Sequence, residues 1–315
     1  MLQLYILAKD RPEELRSALN SAINQDYKDI EIIVSDNSET KQVSKMMRSD
    51  FSNIRYINRS ILLSPFGHIK QVIDEATEEF MMMFHDDDIL SETHVSNMIS
   101  KLHKNPDVVG VASNGIFFGD SFLKNRMIMQ IKSELLIKTP VQLFEFYLGL
   151  YSGSQAPLPG YIYRTSILKE VNKKYLIKCG KQSDVQLLAE VLNYGQILWL
   201  PTPTLYYRLH SSQESSQEKI YDRARILHLM STLGIDLNSK SVLFYKFMYL
   251  HRWWKGRGNS TLRIPRGLKE RVVAKFLVLT FINLSFSNKF FLVKIFKMIL
   301  FGFLKAMDRV KKLYF

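Results

Sequence analysis

The chain has 315 residues, 46% of them apolar, enough for one large domain with an appendage or for two domains. Its single cysteine, Cys179, excludes an internal disulfide and any cysteine-built metal cluster. The formal net charge of +13 is uneven: residues 240–315 hold 17 Lys/Arg against Glu270 and Asp308, which leaves residues 1–239 at −2.

Residues 2–8 form an apolar run with no basic segment before it, and so read as a first strand rather than a signal peptide. Asp10 and Glu13 are spaced as a capping box for a helix running to about residue 23. Ile30, Ile32, Ile33 and Val34 make 29–35 a second buried strand, closed by the polar turn Asp36, Asn37, Ser38. A helix to about Arg48, a strand at 54–57 and a helix over 68–76 lead to the apolar run 80–84. Repeated strand–helix units predict a layered α/β fold, a mixed and mainly parallel sheet flanked by helices. Right-handed crossovers then bring the strand ends at Ala8, Ser35 and Phe84 to one edge.

That edge carries Asp10, Asp36 and the triplet Asp86, Asp87, Asp88, at the place where open α/β sheets bind ligands. Adjacent carboxylates repel one another, and oxygen donors suit a hard cation, Mg²⁺ or Mn²⁺, that bridges to phosphate. The chain has neither glycine-rich phosphate-binding pattern.

The last quarter of the chain differs from this body. It holds 11 of the 20 phenylalanines and the pair Trp253, Trp254. On a helix, Lys294, Lys297, Lys305, Asp308, Arg309, Lys311 and Lys312 fall within an arc of roughly 160°. Phe296, Ile299, Phe303 and Met307 lie on the broad apolar remainder. Such a stripe suits a helix lying in a membrane interface, whereas a nucleic-acid arm has no need of the apolar face. The apolar segment 272–286 is short of the about 20 residues that cross a bilayer. Two units are expected: a body at 1–239 and a basic helical region at 240–315.

The run Ile6 to Pro12, Leu15, Leu19, then Asn24, Gln25, Asp26, Tyr27 and Glu31 to Ser38 resembles the opening of family 2 glycosyltransferases. His85 to Leu90 resembles the family's Asp-x-Asp strand end. Ser183 to Leu188, Asn193 to Gly195, Leu200 with Pro201, and Tyr206 to His210 resemble its acceptor half. The resemblance implies a GT-A fold, with a nucleotide-sugar half to about 115 and an acceptor half over about 116–215, and inverting transfer from a nucleotide-sugar, a UDP-sugar, with Mn²⁺ or Mg²⁺. It puts Asp10, Asp36, Asp86 and His210 on the nucleotide-sugar, Asp87, Asp88 and His210 at the metal, and Asp184 as general base. Aligning Asp87 and Asp88 with the trailing pair leaves His85 in the leading place; a shift instead pairs Asp86 with Asp88. The implied partners are a lipid-linked or oligosaccharide acceptor and an anionic membrane surface, with no nucleic acid. The implied setting is the cytoplasmic face of a bacterial inner membrane, in surface polysaccharide synthesis. A catalytically inactive GT-A scaffold and a basic-tailed nucleic-acid-binding protein are the alternatives.

Overall fold

A computed structural model describes residues 1–119, 125–147, 156–174, 183–210 and 220–237, with Ser239 and Val242. The basic region expected at 240–315, with its cationic stripe, lies outside the described residues apart from Val242.

In chain order the strands are β1 Leu2–Ala8, β2 Ile30–Asp36, β3 Arg55–Asn58, β4 Phe80–His85, β5 Ile89–Leu90, β6 Val108–Gly119, β7 Leu135–Ile137, β8 Tyr161–Arg164 and β9 Gln196–Leu209. The helices are α1 Pro12–Ile23, α2 Gln42–Asp50, α3 Pro65–Glu75, α4 His94–Lys104, α5 Pro140–Tyr147, α6 Thr165–Lys174, α7 Ser183–Val191 and α8 Ile220–Thr232. The strands form one sheet in the order β3-β2-β1-β4-β8-β6-β9-β5, with β7 on β9. Strands β1 to β4 pair in parallel, as their alternation with helices requires. Strand β8 runs antiparallel between β4 and β6, so the second half is mixed.

Each face of the sheet has its own core. Leu4, Ile6, Val34, Met82 and Phe84 pack with α1 and α4 residues such as Leu19 and Val95 on one face. Tyr5, Ile33, Met81, Met83, Tyr161 and Trp199 lie in the other. Alternate residues of β1 and β4 thus serve opposite cores, which is why these strands read as continuous apolar runs. Trp199 donates its indole N–H to the Tyr161 hydroxyl at 2.7 Å, so both buried aromatics keep a polar partner.

The helix α1 starts differently from the capping-box expectation. Pro12 holds its first position and Arg11 precedes it, with no side-chain cap. Proline suits that first turn, where its missing N–H is not required. Asp10 stands outside the helix at φ 54°, and its carboxylate turns instead to the backbone ahead of α2.

Two histidines are built into the cores. His94 accepts or donates at Nδ1 with the Thr204 hydroxyl at 2.8 Å, and His68 meets the Ser35 hydroxyl at 2.6 Å through Nε2. Burial lowers both to about 4, in His68 with help from the nearby Arg59 charge. Unfolding returns them to about 6.5, so between these values the unfolded chain binds more protons. The contribution of these two histidines to stability is therefore complete above pH 6.5 and is lost as pH drops toward 4. At pH 5 the loss is expected to be ~2 kcal/mol per histidine. Urea midpoints of the full chain and of His94→Gln at pH 7.5 and 5 measure it: the native protein is expected to lose more stability, or gain less, than the variant on going to pH 5.

Candidate active site

The parallel register sets the site. Ala8 at the end of β1 pairs with Asp36 at the end of β2, and Leu7 pairs with His85 at the end of β4. Three carboxyl-terminal strand ends, with the loops that follow them, therefore stand side by side. They open on a cleft of about 530 Å³ whose wall includes Lys9, Asp10, Arg11, Asn37, His68, His85, Asp87, Tyr207 and His210.

The acidic triplet is divided rather than uniform. Asp86 is fully buried; its Oδ2 accepts the Lys9 amide at 2.8 Å and its Oδ1 accepts from Arg11 Nη2. Burial pushes its carboxyl up to about 7, against the opposing Arg11 charge and Lys9 amide. Asp87 Oδ2 accepts from Arg11 Nη1 at 2.6 Å and lies 3.1 Å from His210 Nε2. Asp88 Oδ1 accepts the Arg208 amide at 2.8 Å. Its Oδ2 is buried without a hydrogen bond among the described residues, and His85 Nδ1 lies 3.7 Å away. Burial first, then the Asp87 charge, raises the Asp88 carboxyl well above the usual range.

His85, Asp87 and Asp88 each offer one donor atom, all within 4.8 Å of one another. Two carboxylates and an imidazole, with the orphaned Asp88 oxygen among them, fit a divalent cation. Asp86 is outside this group because its two oxygens serve Lys9 and Arg11.

Strand β9 supplies the opposite wall. Strand β5 pairs antiparallel with it, Ile89 against Tyr206 and Leu90 against Leu205. Continued backward by two residues, this pairing brings Arg208 to the triplet, where its Nε also donates to the Asp87 carbonyl at 2.9 Å. His210 follows at the strand end. Glycine is required at Gly119 on neighbouring β6, where φ is +95° and a Cβ would come 2.6 Å from the Leu209 carbonyl.

The expected nucleotide residues have local tasks as well. Asp10 accepts the Thr40 amide and hydroxyl at 2.9 Å and the Glu39 amide at 3.1 Å. Desolvation raises its carboxyl, but these donors outweigh it and hold the group below its ordinary range. Asp36 is buried; one oxygen accepts the Ser38 amide at 2.9 Å and the other the Tyr56 hydroxyl at 2.6 Å. Asn37, not Asp36, is on the cleft wall, its amide group clamped to both backbone groups of Leu63. Asp184 lies in the first turn of α7, with Oδ1 accepting the Val185 amide at 2.8 Å. It is not on the cleft wall, but its charge reaches Tyr207, which is. Burial, then Asp88, Asp87 and Asp184, push the Tyr207 phenol above its ordinary range.

The sequence by itself assigns no site role to Arg11, Tyr207 or Arg208. Arg11 was legible only as part of the run Ile6 to Pro12, since its partners lie 75 and 76 residues away.

Residues 4–159 match the family described as Glycosyl transferase family 2. A 107-residue stretch is 33% identical to the GalNAc(5)-diNAcBac-PP-undecaprenol beta-1,3-glucosyltransferase of Campylobacter jejuni, covering 33% of this chain. That stretch spans only about a third of the relative, 35% of its length. Among solved structures, TarS 1-349 of S. aureus superposes with a TM-score of 0.60 at 12% identity, covering 89% of this chain and 80% of that one. A mannosyltransferase of Pyrobaculum calidifontis, solved with GDP-Man and Mn2+, gives 0.50 at 10% identity over 89% of this chain and 80% of its own. At such identities the likeness speaks for the shared fold alone. Residues 4–159 thus belong to glycosyl transferase family 2, and the described residues have the GT-A fold.

Proposed function

We propose that this protein is a metal-dependent, inverting glycosyltransferase that moves a sugar from a nucleotide-sugar, a UDP-sugar, to a lipid-linked saccharide. The observation that carries this reading is the convergence of His85, Asp87 and Asp88 beside a cleft at the ends of β1, β2 and β4. The cleft has room for a nucleoside diphosphate, and its Lys9 and Arg11 suit phosphate oxygens. The lipid-linked acceptor is supported by the name of the C. jejuni relative, which specifies a PP-undecaprenol saccharide.

His85, Asp87 and Asp88 would hold Mn²⁺ or Mg²⁺, and His210 stands beside them against Asp87. When bound, that cation neutralises the charge left on the departing diphosphate. Asp10 and Asp36 order the loops under the nucleotide through the Glu39, Thr40 and Ser38 amides. Asp86 keeps Arg11 in place beside the diphosphate. Asp184 takes the proton of the attacking acceptor hydroxyl while the C1–O bond to the diphosphate breaks on the opposite face. One displacement inverts the anomeric centre.

For residues 240–315, the sequence supports peripheral binding to an anionic cytoplasmic membrane surface, where a lipid-linked acceptor presents its sugar. Among the described residues no helix is long and apolar enough to cross a membrane.

The function is tested by nucleoside diphosphate release from a panel of nucleotide-sugars with Mn²⁺ or Mg²⁺. Replacing Asp87 and Asp88 together by Asn, or adding excess chelator, is expected to lower release at least about a hundredfold. Unchanged release in chelator would reject the metal-dependent reading. Asp184→Asn should lower turnover by about 10² to 10⁴ while nucleoside diphosphate affinity stays near that of the native protein. Near-native turnover at saturating substrates would remove Asp184 from the base role. Charge reversal at Lys294, Lys297 and Lys305 should weaken binding to anionic vesicles by roughly 1 kcal/mol or more per site. The effect is expected to be largest at low salt, where attraction is least screened. Vesicle co-sedimentation across a salt series measures it.

A further inference from the structure

We propose that Arg11 is a resident counter-cation of the acidic cluster, and that it makes divalent-cation binding depend on the diphosphate. The inference rests on the metal and diphosphate reading of the same site. The Arg11 guanidinium bridges two carboxylates of different standing. Through Nη2 it donates to Asp86, whose other oxygen is tied to the Lys9 amide and which is wholly inside the protein. Through Nη1 it donates at 2.6 Å to Asp87, which belongs to the cation cluster with His85 and Asp88.

The same Asp87 oxygen lies 3.1 Å from His210, and Arg11 Nη1 is 3.4 Å from that imidazole. Several groups therefore meet at one carboxylate oxygen. Arginine does not shed its proton at working pH, so its charge stays. A divalent cation arriving alone at His85, Asp87 and Asp88 meets a fixed positive charge that already uses Asp87.

A diphosphate resolves the conflict. The Arg11 side chain is 35% exposed and lines the cleft, so the Nη1 arm can leave Asp87 while Nη2 keeps Asp86. The planar guanidinium matches phosphate oxygens, and the anion brings negative charge beside both cations. Cation and diphosphate then bind with positive coupling, and each must strengthen the other by the same factor. The backbone is shaped for this. Asp10 adopts the left-handed conformation at φ 54°, and its neighbours Lys9 and Arg11 both reach Asp86.

The test is Mn²⁺ binding to the full-length protein, followed by electron paramagnetic resonance of the free ion. It is done with and without inorganic pyrophosphate, corrected for the Mn²⁺–pyrophosphate complex. The native protein is expected to bind Mn²⁺ about tenfold more tightly with pyrophosphate present. Arg11→Gln is expected to bind Mn²⁺ alone about tenfold more tightly than the native protein, with the coupling correspondingly reduced. Equal Mn²⁺ affinity of native protein and Arg11→Gln overturns the role of Arg11 and leaves the metal site standing. No Mn²⁺ binding to the native protein in either condition overturns the metal reading and this inference together. Should Arg11→Gln fail to fold by circular dichroism, Arg11→Lys carries the test, since one ammonium cannot hold both carboxylates as a fork does. It is expected to bind Mn²⁺ alone about threefold more tightly than the native protein, and equal affinity again overturns the proposal.

Discussion

Burial of the Asp86 carboxylate at the end of β4 is the constraint on which the rim depends. An ionised carboxylate removed from water is costly unless it is paired and hydrogen-bonded. Here the compensation comes from the turn after β1, as the Lys9 amide and the Arg11 guanidinium. To present both, the intervening Asp10 turns left-handed, a conformation that Asp tolerates better than most residues. Its own carboxylate then reaches the amides of Glu39 and Thr40. Asp86 and Asp10 together thus tie the loops after β1, β2 and β4, which are the three that frame the cleft.

The second half of the sheet closes the site through backbone pairing rather than charge. Strand β9 is 14 residues long and makes contact with β5, β6 and β7. Its far end lays the Arg208 amide on Asp88 and His210 on Asp87, more than a hundred residues away in sequence. Tyr207 lines the cleft, and burial, then the charges of Asp88, Asp87 and Asp184, raise its phenol.

The division of the triplet has chemical consequences. Had all three carboxylates faced the cleft, their repulsion would have called for more than one cation. Instead the Lys9 amide and Arg11 engage Asp86 inside the protein, and Asp87 and Asp88 stand with His85 as a group whose donor atoms lie within 4.8 Å of one another. The orphaned Asp88 oxygen marks the part of the cluster that no group among the described residues satisfies.

Local pattern determined the strands and helices of the first half. The apolar runs of β1, β2 and β4 follow from burial on both faces, and periodicity within a few residues is enough to read that. It also determined that Asp10, Asp36 and the triplet would share a rim, because parallel strands with right-handed crossovers end on the same side. Sequence could not decide which carboxylate of the triplet would be withdrawn, since that depends on Arg11 across 75 residues of chain. Nor could it show that Asp10 would leave the α1 cap, which follows from Pro12 at the helix start and from the pull of the α2 lead-in. The antiparallel entry of β8 between β4 and β6 was equally beyond it. Strand order is decided by which faces bury each other in three dimensions, and short-range periodicity carries no record of that choice.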